Sequence, residues 1–205
     1  MRVVLTGGPG AGKTAVLELV RQHFCRHVHV LPEAASILFT GGFPRSTLAG
    51  QRSAVQRAIF WVQRELEAVQ DAAEQPAITL CDRGTIDGAA YWPGPGTLWS
   101  AVGTTLAAEL GRYDAVIHLR TPGVDAYDHS NPVRIESALE AAEIDERIAS
   151  AWSSHPRRFF VESATDFMTK AQHAIDTLRA QLPACCRVHH VPRGPGELEQ
   201  QGDQQ

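Results

Sequence analysis

A glycine-rich stretch near the start of the chain has the residue types and spacing that bind phosphate groups. Gly7, Gly12, Lys13 and Thr14 occupy the fixed positions of the pattern G-x-x-x-x-G-K-[ST]. Glycines allow the backbone to approach an anion closely, and the loop amides then point at phosphate oxygens. Lys13, one of only two lysines in the chain, would reach the β- and γ-phosphates of ATP, and the Thr14 hydroxyl would hold Mg²⁺. We therefore predict nucleotide contacts from Gly8, Pro9, Gly10, Ala11, Gly12, Lys13 and Thr14.

An acid and a base, Asp82 and Arg83, directly follow the apolar run Ala77–Cys81. A carboxylate at this place can bind Mg²⁺ through water or accept a proton, and an arginine can neutralise a phosphoryl group in transit. Processing ATPases usually have a glutamate at the second position, where it activates water, but this chain has Arg83. The pair therefore favours transfer to a bound acceptor over hydrolysis, with Asp82 as a second Mg²⁺ ligand. A capped strand end is the purely structural alternative.

Three further residues are candidates for binding the acceptor. Glu33 follows the apolar run Val28–Leu31, and its carboxylate could take the proton of an acceptor hydroxyl or hold a ribose diol. It could instead start the next helix, where acidic residues favour the positive end of the dipole. Asp87 is the second candidate, with a turn cap as its alternative, and Tyr91 is the third. An aromatic acceptor could stack on a group of rings, of which at least two are also expected in the core: Phe60, Trp61, Tyr91 and Trp92.

Several arginines bracket a polar loop over 121–131 and the charged helix that follows it: Arg120, Arg134, Arg147, Arg157 and Arg158. Phosphoryl transfer requires exclusion of water and neutralisation of charge, commonly by arginines on a closing lid. We assign this catalytic role to Arg134, because it lies where the loop meets the helix. A solvated surface position is the alternative for any of these arginines.

Hydrophobic periodicity predicts the elements that must position these residues. Short apolar runs predict strands over 3–5, 28–31, 77–81, 115–119 and 159–161. A spacing of 3.6 residues predicts helices over 13–24, 55–73 and 98–110. Two further helices are predicted, one through Ile144, Ile148 and Trp152 and the last from Asp166. Alternating strands and helices predict an α/β P-loop NTPase fold, a three-layer sandwich with a mostly parallel five-stranded sheet and a helical lid. Because such folds bind ligands at the carboxyl ends of their strands, the candidate residues should share one edge.

The helix over 55–73 has the clearest pattern. Its apolar residues recur every three to four positions, at Val55, Ile59, Val62, Leu66, Val69 and Ala73. The charged residues Arg57, Arg64, Glu65 and Glu67 fall elsewhere, so we expect them on the solvent face. Residues 1–192 are predicted to form a single nucleotide-binding domain, and residues 193–205 a disordered tail.

Composition and charge exclude several other classes of function. A chain of 205 residues with a net charge of -4 has no electrostatic basis for binding bulk nucleic acid. No stretch approaches the roughly 18 apolar residues of a membrane span, and the apolar start is too short for a signal peptide. The thiols of Cys25, Cys81, Cys185 and Cys186 are therefore expected to be reduced and the protein cytoplasmic. A zinc site formed by Cys185, Cys186, His189 and His190 is the alternative to a terminal strand.

With these motifs placed, the chain resembles the P-loop kinase-like family that includes the ribosylnicotinamide kinase domain of bifunctional NAD-regulating proteins, grouped under an "AAA domain" description. The resemblance spans roughly residues 2–182, and its most specific parts are Leu5–Thr14, Pro32–Ala35, Asp82–Gly88 with Tyr91-Trp92, and Arg134–Glu136. From these 205 residues we expect neither the adenylyltransferase nor the DNA-binding domain of the bifunctional proteins. It also leaves no room for a separate AAA+ lid domain and shows no identifiable ring-assembly arginine.

More distantly, Pro32-Glu33 and Asp82-Arg83 resemble motifs of deoxynucleoside and thymidylate kinases. This resemblance implies that Glu33 is the base and that Asp82 and Arg83 serve the metal, the phosphates and the acceptor. We therefore predict an ATP- and Mg²⁺-dependent phosphotransferase acting on a small, nucleoside-like hydroxyl acceptor.

Two other functions stay open: a nucleotide-state switch that acts through a protein or lipid partner, and a slow ATPase or GTPase. The chain lacks the Asn/Thr-Lys-x-Asp motif of conventional GTPases, which disfavours guanine recognition by that route. The oligomeric state is also open, with a homodimer among the options.

Overall fold

The computed structural model describes residues 1–25, 27–73, 78–122, 137–163 and 166–182. Five strands lie within these ranges: β1 (Arg2–Thr6), β2 (Val28–Leu31), β3 (Ile78–Asp82), β4 (Ala115–Leu119) and β5 (Arg158–Val161). A 3₁₀ helix spans Thr85–Tyr91. The α-helices are α1 (Lys13–His23), α2 (Ala34–Thr40), α3 (Ala49–Ala72), α4 (Leu98–Val102), α5 (Leu106–Leu110), α6 (Ala138–Ala151) and α7 (Phe167–Gln181).

The five strands form one sheet in the order β2-β3-β1-β4-β5, and all four strand pairings are parallel. Val4 of β1 pairs with Cys81 on one side and with Val116 on the other. From β1 the chain runs to β2 and β3 on one side of the sheet, and it then crosses to β4 and β5 on the other side. β1 is therefore the switch point where such sheets bind ligands. The predicted α/β fold with a parallel five-stranded sheet is confirmed.

Alternating side chains of the strands face two helical layers, as the period of two in a strand requires. Val3 and Leu5 face the layer formed by α1 and α7, with apolar residues such as Leu17 and Ile175. Val4 faces the opposite layer, which includes Ile148 of α6. The sheet is thus covered on both faces, as the three-layer prediction requires.

The predicted single helix over 98–110 is wrong, because this segment forms two short helices. α4 ends at Gly103, which adopts a left-handed conformation with φ 73°. α5 then begins behind Thr105, whose side chain accepts a hydrogen bond from the amide of Ala108 at 3.1 Å. A glycine stop followed by a threonine cap separates the two helices.

The predicted faces of α3 are also partly wrong. Val69 is 71% exposed, although the periodicity predicts it in the apolar stripe. Glu67 is predicted on the solvent face, yet its side chain is fully buried. Glu67 accepts hydrogen bonds from Gln63 at 2.9 Å and from the Tyr113 hydroxyl at 2.8 Å, and it forms an ion pair with Arg112.

This buried cluster supports the segment that carries the candidate site. The Tyr113 hydroxyl accepts a hydrogen bond from the amide of Thr85 at 2.8 Å, two residues after Arg83. The Thr85 hydroxyl in turn donates to Glu109 at 2.9 Å. The first turn of the 3₁₀ helix is therefore fixed from behind by Glu109 of α5 and by Tyr113, which in turn donates to Glu67 of α3. No helix in the described ranges is both long and apolar enough to cross a membrane.

Replacement of Glu67 by Gln removes the charge that Arg112 faces while keeping the shape of the side chain. Because Arg112 then loses one counter-charge but keeps Glu109 at 3.5 Å, we expect the free energy of unfolding to fall by about 2 kcal/mol in urea titrations. Glu65→Gln, on the exposed surface of the same helix, is the matched control and should change stability by less than about 0.5 kcal/mol. Equal losses in both variants would contradict the role given to Glu67.

Candidate active site

The glycine-rich loop connects the end of β1 to the start of α1, at the centre of the sheet edge. Gly12 adopts φ 91°, a left-handed conformation that glycine takes without strain. The Lys13 ammonium donates hydrogen bonds to the carbonyls of Gly7 and Gly8, both at 2.9 Å. Lys13 therefore lies over the loop, where it can reach phosphate oxygens. Thr14 follows on the exposed surface of the first turn of α1.

Burial lowers the pKa of Lys13 to about 7, and the nearby charge of Arg83 acts in the same direction. The carboxylates of Asp82, Glu33 and Asp87 act in the opposite direction. A polyphosphate bound in the loop would add several negative charges beside this amine, which favours its protonated form.

Asp145 of α6 holds the first half of the loop, and it is not among the residues predicted for the site. Its carboxylate accepts a hydrogen bond from the amide of Gly8 at 2.7 Å. A Cβ at Gly8 would lie 2.9 Å from the Cβ of Asp145, so this close approach requires glycine. The hydroxyl of Thr121 donates to the carbonyl of Pro9 at 3.1 Å. The loop is thus attached both to α6 and to the segment that follows β4.

Asp145 is buried, and it also contacts His118 at 2.9 Å and Arg120 at 3.1 Å. Burial acts to raise its pKa, but the hydrogen bonds from His118, Gly8 and Arg120 outweigh burial and lower the pKa to about 2. The carboxylate is therefore charged under all ordinary conditions. One signal in the sequence could have identified it, because an acid beside Ile144 falls on the apolar face of α6.

Glu33 and Arg83 meet at the carboxyl ends of neighbouring strands β2 and β3. The Nε of Arg83 donates to the Glu33 carboxylate at 2.7 Å, and Ser36 also donates to it. Burial acts to raise the pKa of Glu33, but the charge of Arg83 and the hydrogen bond from Ser36 lower it overall. Glu33 is thus ionised at neutral pH, the form that accepts a proton. It also precedes the first residue of α2, so the helix-start alternative holds as well.

Arg83 has φ 70°, a strained conformation for a residue other than glycine. Its Nη1 donates to Asp87 at 3.1 Å, which fixes the guanidinium between two acids. Asp87 is buried and also accepts hydrogen bonds from the amide of Gly84 and from the indole of Trp152, both at 3.1 Å. The turn cap that the sequence offered as an alternative for Asp87 is therefore present, while Asp87 also lines the adjacent cavity.

Asp82 has the character expected of a cation ligand. Burial, followed by the charge of Glu33, raises its pKa to about 6. Its Oδ1 is buried and has no hydrogen-bond partner in the described part of the chain. This oxygen and the hydroxyl of Thr14 are oxygen donors of the kind that Mg²⁺ prefers, so these two residues would hold the ion if it binds with the nucleotide. Within the same residues, no group of three or more His, Cys, Asp or Glu side chains could hold a metal ion by itself.

A cavity of about 500 Å³ opens beside the loop at Pro9 and Gly10. Glu33, Arg83 and Tyr91 line it, together with apolar residues of α3 that include Phe60. Trp61 is instead 48% exposed, and Trp92 packs in a cluster around Leu98. Of the four rings considered for stacking, Phe60 and Tyr91 thus lie at the cavity.

Several arginines of the predicted lid have structural partners. Arg120 binds Asp145 and Glu146, and Arg158 donates to the carbonyl of Ala149 at 2.9 Å. Arg147 is exposed on α6. Arg134, to which we assign the lid role, lies outside the described residues, as do Cys185, Cys186, His189, His190 and the tail 193–205.

A family model described as an AAA domain matches residues 2–170. The chain belongs to this family. The match includes the loop, Glu33, Asp82 and Arg83, so the residues gathered at the sheet edge all fall within the family domain. A search of curated proteins found no match for this AAA-domain protein.

A thymidylate kinase from Candida albicans has a similar structure, with a TM-score of 0.57 at 12% sequence identity. The alignment covers 88% of this chain and 91% of that chain. Identity this low shows the fold alone, and it confirms that this family member has a P-loop, kinase-like α/β fold. The more specific resemblance to ribosylnicotinamide kinases stays a prediction.

Replacement of Asp145 by Asn tests how the loop is held. A carboxyl whose pKa is about 2 when folded and near its ordinary 3.8 when unfolded stabilises the protein by about 2 kcal/mol above pH 4. This contribution is lost as the pH falls toward 2. We therefore expect the stability difference between wild type and Asp145→Asn to shrink over that interval in urea titrations. Glu146→Gln, which changes an exposed partner of the same Arg120, should show a small and constant difference. A constant difference for Asp145→Asn as well would contradict this account.

The lowered pKa of Lys13 predicts that the protein takes up a proton when nucleotide binds. At pH 8 an amine with a pKa of about 7 is mostly neutral, and phosphate charges would restore its proton. Calorimetric heats of ATP binding should thus differ between buffers of different ionisation enthalpy, and affinity should fall as the pH rises above 7. Lys13→Arg, which stays charged at these pH values, should bind without this uptake. Equal heats for the wild type in both buffers would contradict the prediction.

Proposed function

We propose that this protein is an ATP- and Mg²⁺-dependent phosphotransferase that acts on a small hydroxyl acceptor. The observation that supports this proposal best is the position of the Glu33–Arg83 pair. The pair lines a cavity of about 500 Å³ that opens at Pro9 and Gly10 of the loop. An acceptor in this cavity would be adjacent to the terminal phosphate of a nucleotide held by the loop.

Each side chain has a role that follows from its environment. The loop amides and Lys13 bind the phosphates, and Thr14 with Asp82 would hold Mg²⁺, which neutralises phosphate charge when bound. Glu33 is ionised and can accept the proton of a hydroxyl. Arg83 is fixed between Glu33 and Asp87, where its charge can stabilise the phosphoryl group as it moves to the acceptor.

The transfer is balanced without a further reactant. The acceptor oxygen forms a bond to the terminal phosphorus, and the bond between that phosphorus and the oxygen of ADP breaks. The hydroxyl proton passes to Glu33 and then to solvent. Transfer rather than hydrolysis is supported by the position after Asp82, where Arg83 cannot activate water as a glutamate would.

The first test is ATP turnover with a panel of small hydroxyl compounds, followed by mass spectrometry. We expect one class of compound to stimulate turnover and to gain the mass of one phosphoryl group. Slow turnover that no compound stimulates would contradict the proposal and would favour the switch or ATPase function instead.

Glu33→Gln tests the base directly. Because an amide cannot take a proton, we expect transfer to fall at least ~100-fold while nucleotide affinity is retained. Glu18→Gln, an exposed change on α1, is the matched control and should leave both properties unchanged. Transfer at the wild-type rate in Glu33→Gln would contradict the role of Glu33.

A further inference from the structure

The charges that line the cavity do not cancel. Five charged residues are involved: Glu33, Arg45, Arg52, Arg83 and Asp87. Arg83 forms ion pairs with both acids of this set. Neither Arg45 nor Arg52 forms an ion pair with any residue in the described ranges. Within the part of the chain that the structure describes, the cavity wall therefore has two guanidinium groups without a counter-charge.

Arg52 is held against the wall of the cavity. It lies in the first turn of α3, and its Nη2 donates to the main-chain carbonyl of Tyr91 at 3.2 Å. A carbonyl accepts one of the five N–H donors of a guanidinium and leaves its charge uncompensated. Arg52 is therefore oriented by the protein and retains donors for a ligand.

Arg45 is oriented by a different contact. It belongs to the connection between α2 and α3, and its guanidinium carbon lies 4.2 Å from the ring centroid of Phe39. A guanidinium stacked on an aromatic face keeps its N–H groups free at its edge. Phe39 lines the same cavity. Both uncompensated arginines thus lie on the α2–α3 side of the cavity, whereas Glu33 and Arg83 lie at the sheet edge.

The rest of this side of the cavity is largely apolar, with Val55, Ile59 and Phe60 among its residues. Arg52 is half-buried beside these residues, where its charge attracts an opposite one more strongly than in water, while Arg45 is exposed at the mouth of the cavity. The same positive charges would repel a cationic ligand. The pyridinium of ribosylnicotinamide has a positive charge, so these arginines disfavour the acceptor of the ribosylnicotinamide kinase domain that the chain resembles.

We propose that the acceptor is a small anion, a hydroxyl compound whose carboxylate or phosphate group is bound by Arg45 and Arg52. This inference rests on the proposed phosphotransfer function, because only that function makes the bound compound an acceptor. The charge preference of the cavity is a binding property, and it can be measured without turnover.

The test compares ligands that differ mainly in charge, using calorimetry on the full chain with its nucleotide site filled by a non-hydrolysable ATP analogue. The matched sets are uridine with uridine 5′-monophosphate, glucose with glucuronate and glucose 6-phosphate, and glycerol with glycerate. Nicotinamide riboside is the cation. We expect at least one acid to bind about 10-fold or more tightly than its neutral partner, and its affinity to fall as salt is added. The glucuronate and phosphate members separate a carboxylate from a phosphate ligand.

Substitutions locate the effect. Arg52→Gln and Arg45→Gln should each reduce the affinity for that acid about 10-fold or more and leave the neutral partner unchanged. Arg52→Lys should restore part of the loss, since it keeps the charge. Arg57→Gln removes the same charge from an exposed site on α3 that does not line the cavity, and it should have no effect.

Three results would overturn the inference: no acid that binds more tightly than its neutral partner, tighter binding of nicotinamide riboside than of every acid, or an acid preference that survives both arginine substitutions. Failure of the proposed function would look different. An acid would then bind as expected, but no phosphorylated product would form with ATP.

Discussion

The buried carboxylate of Asp87 is the contact on which the acceptor side of the site depends. It accepts hydrogen bonds from the hydroxyl of Thr6 at the end of β1, from the amide of Gly84 and from the indole of Trp152 at the end of α6. It also pairs with Arg83. One side chain therefore links the central strand, the turn after β3 and the helical layer. The left-handed conformation of Arg83 persists because these contacts determine it from several directions.

A second buried acid has the corresponding role on the other side of β1. Asp145 binds the amide of Gly8 and pairs with His118 and Arg120. The loop is thereby attached to β4 and α6, while Arg83 is attached to β1 and the end of α6. Both halves of the site consequently depend on α6. A shift of this helix would change the nucleotide side and the acceptor side together.

Local signals were sufficient to predict the strands and the loop, but not the buried acids. A short apolar, β-branched run such as Val3–Leu5, followed by glycines, predicts a buried strand, and the glycine pattern before Lys13 predicts a phosphate-binding loop. Because parallel strands end at the same edge of a sheet, Glu33 is then expected at the edge that carries this loop. By contrast, Arg112 and Tyr113, two of the partners of Glu67, lie 45 and 46 positions away in the chain, and the amide that donates to Asp145 is 137 positions distant. Burial of a charge is decided by such tertiary contacts, and a pattern of period 3.6 does not reveal which groups pair with these acids.

Some charged groups around the phosphate-binding loop are paired with opposite charges, and others are not. Asp82 has an unpartnered oxygen within the described residues and a pKa raised to about 6, and Lys13 has a pKa lowered to about 7. A bound polyphosphate with its cation would stabilise the charged forms of both groups. The cation would contact the oxygen of Asp82, and the phosphates would contact the amine of Lys13. Arg83 is already neutralised by Glu33 and Asp87. Binding of the nucleotide would therefore stabilise the charge of Arg83 less than that of Lys13. In the proposed transfer, Arg83 would lose one of its two counter-charges when Glu33 takes up the acceptor proton, while Asp87 would keep it in place. The charge gained at that moment would stabilise transfer more than binding, which is the condition for catalysis.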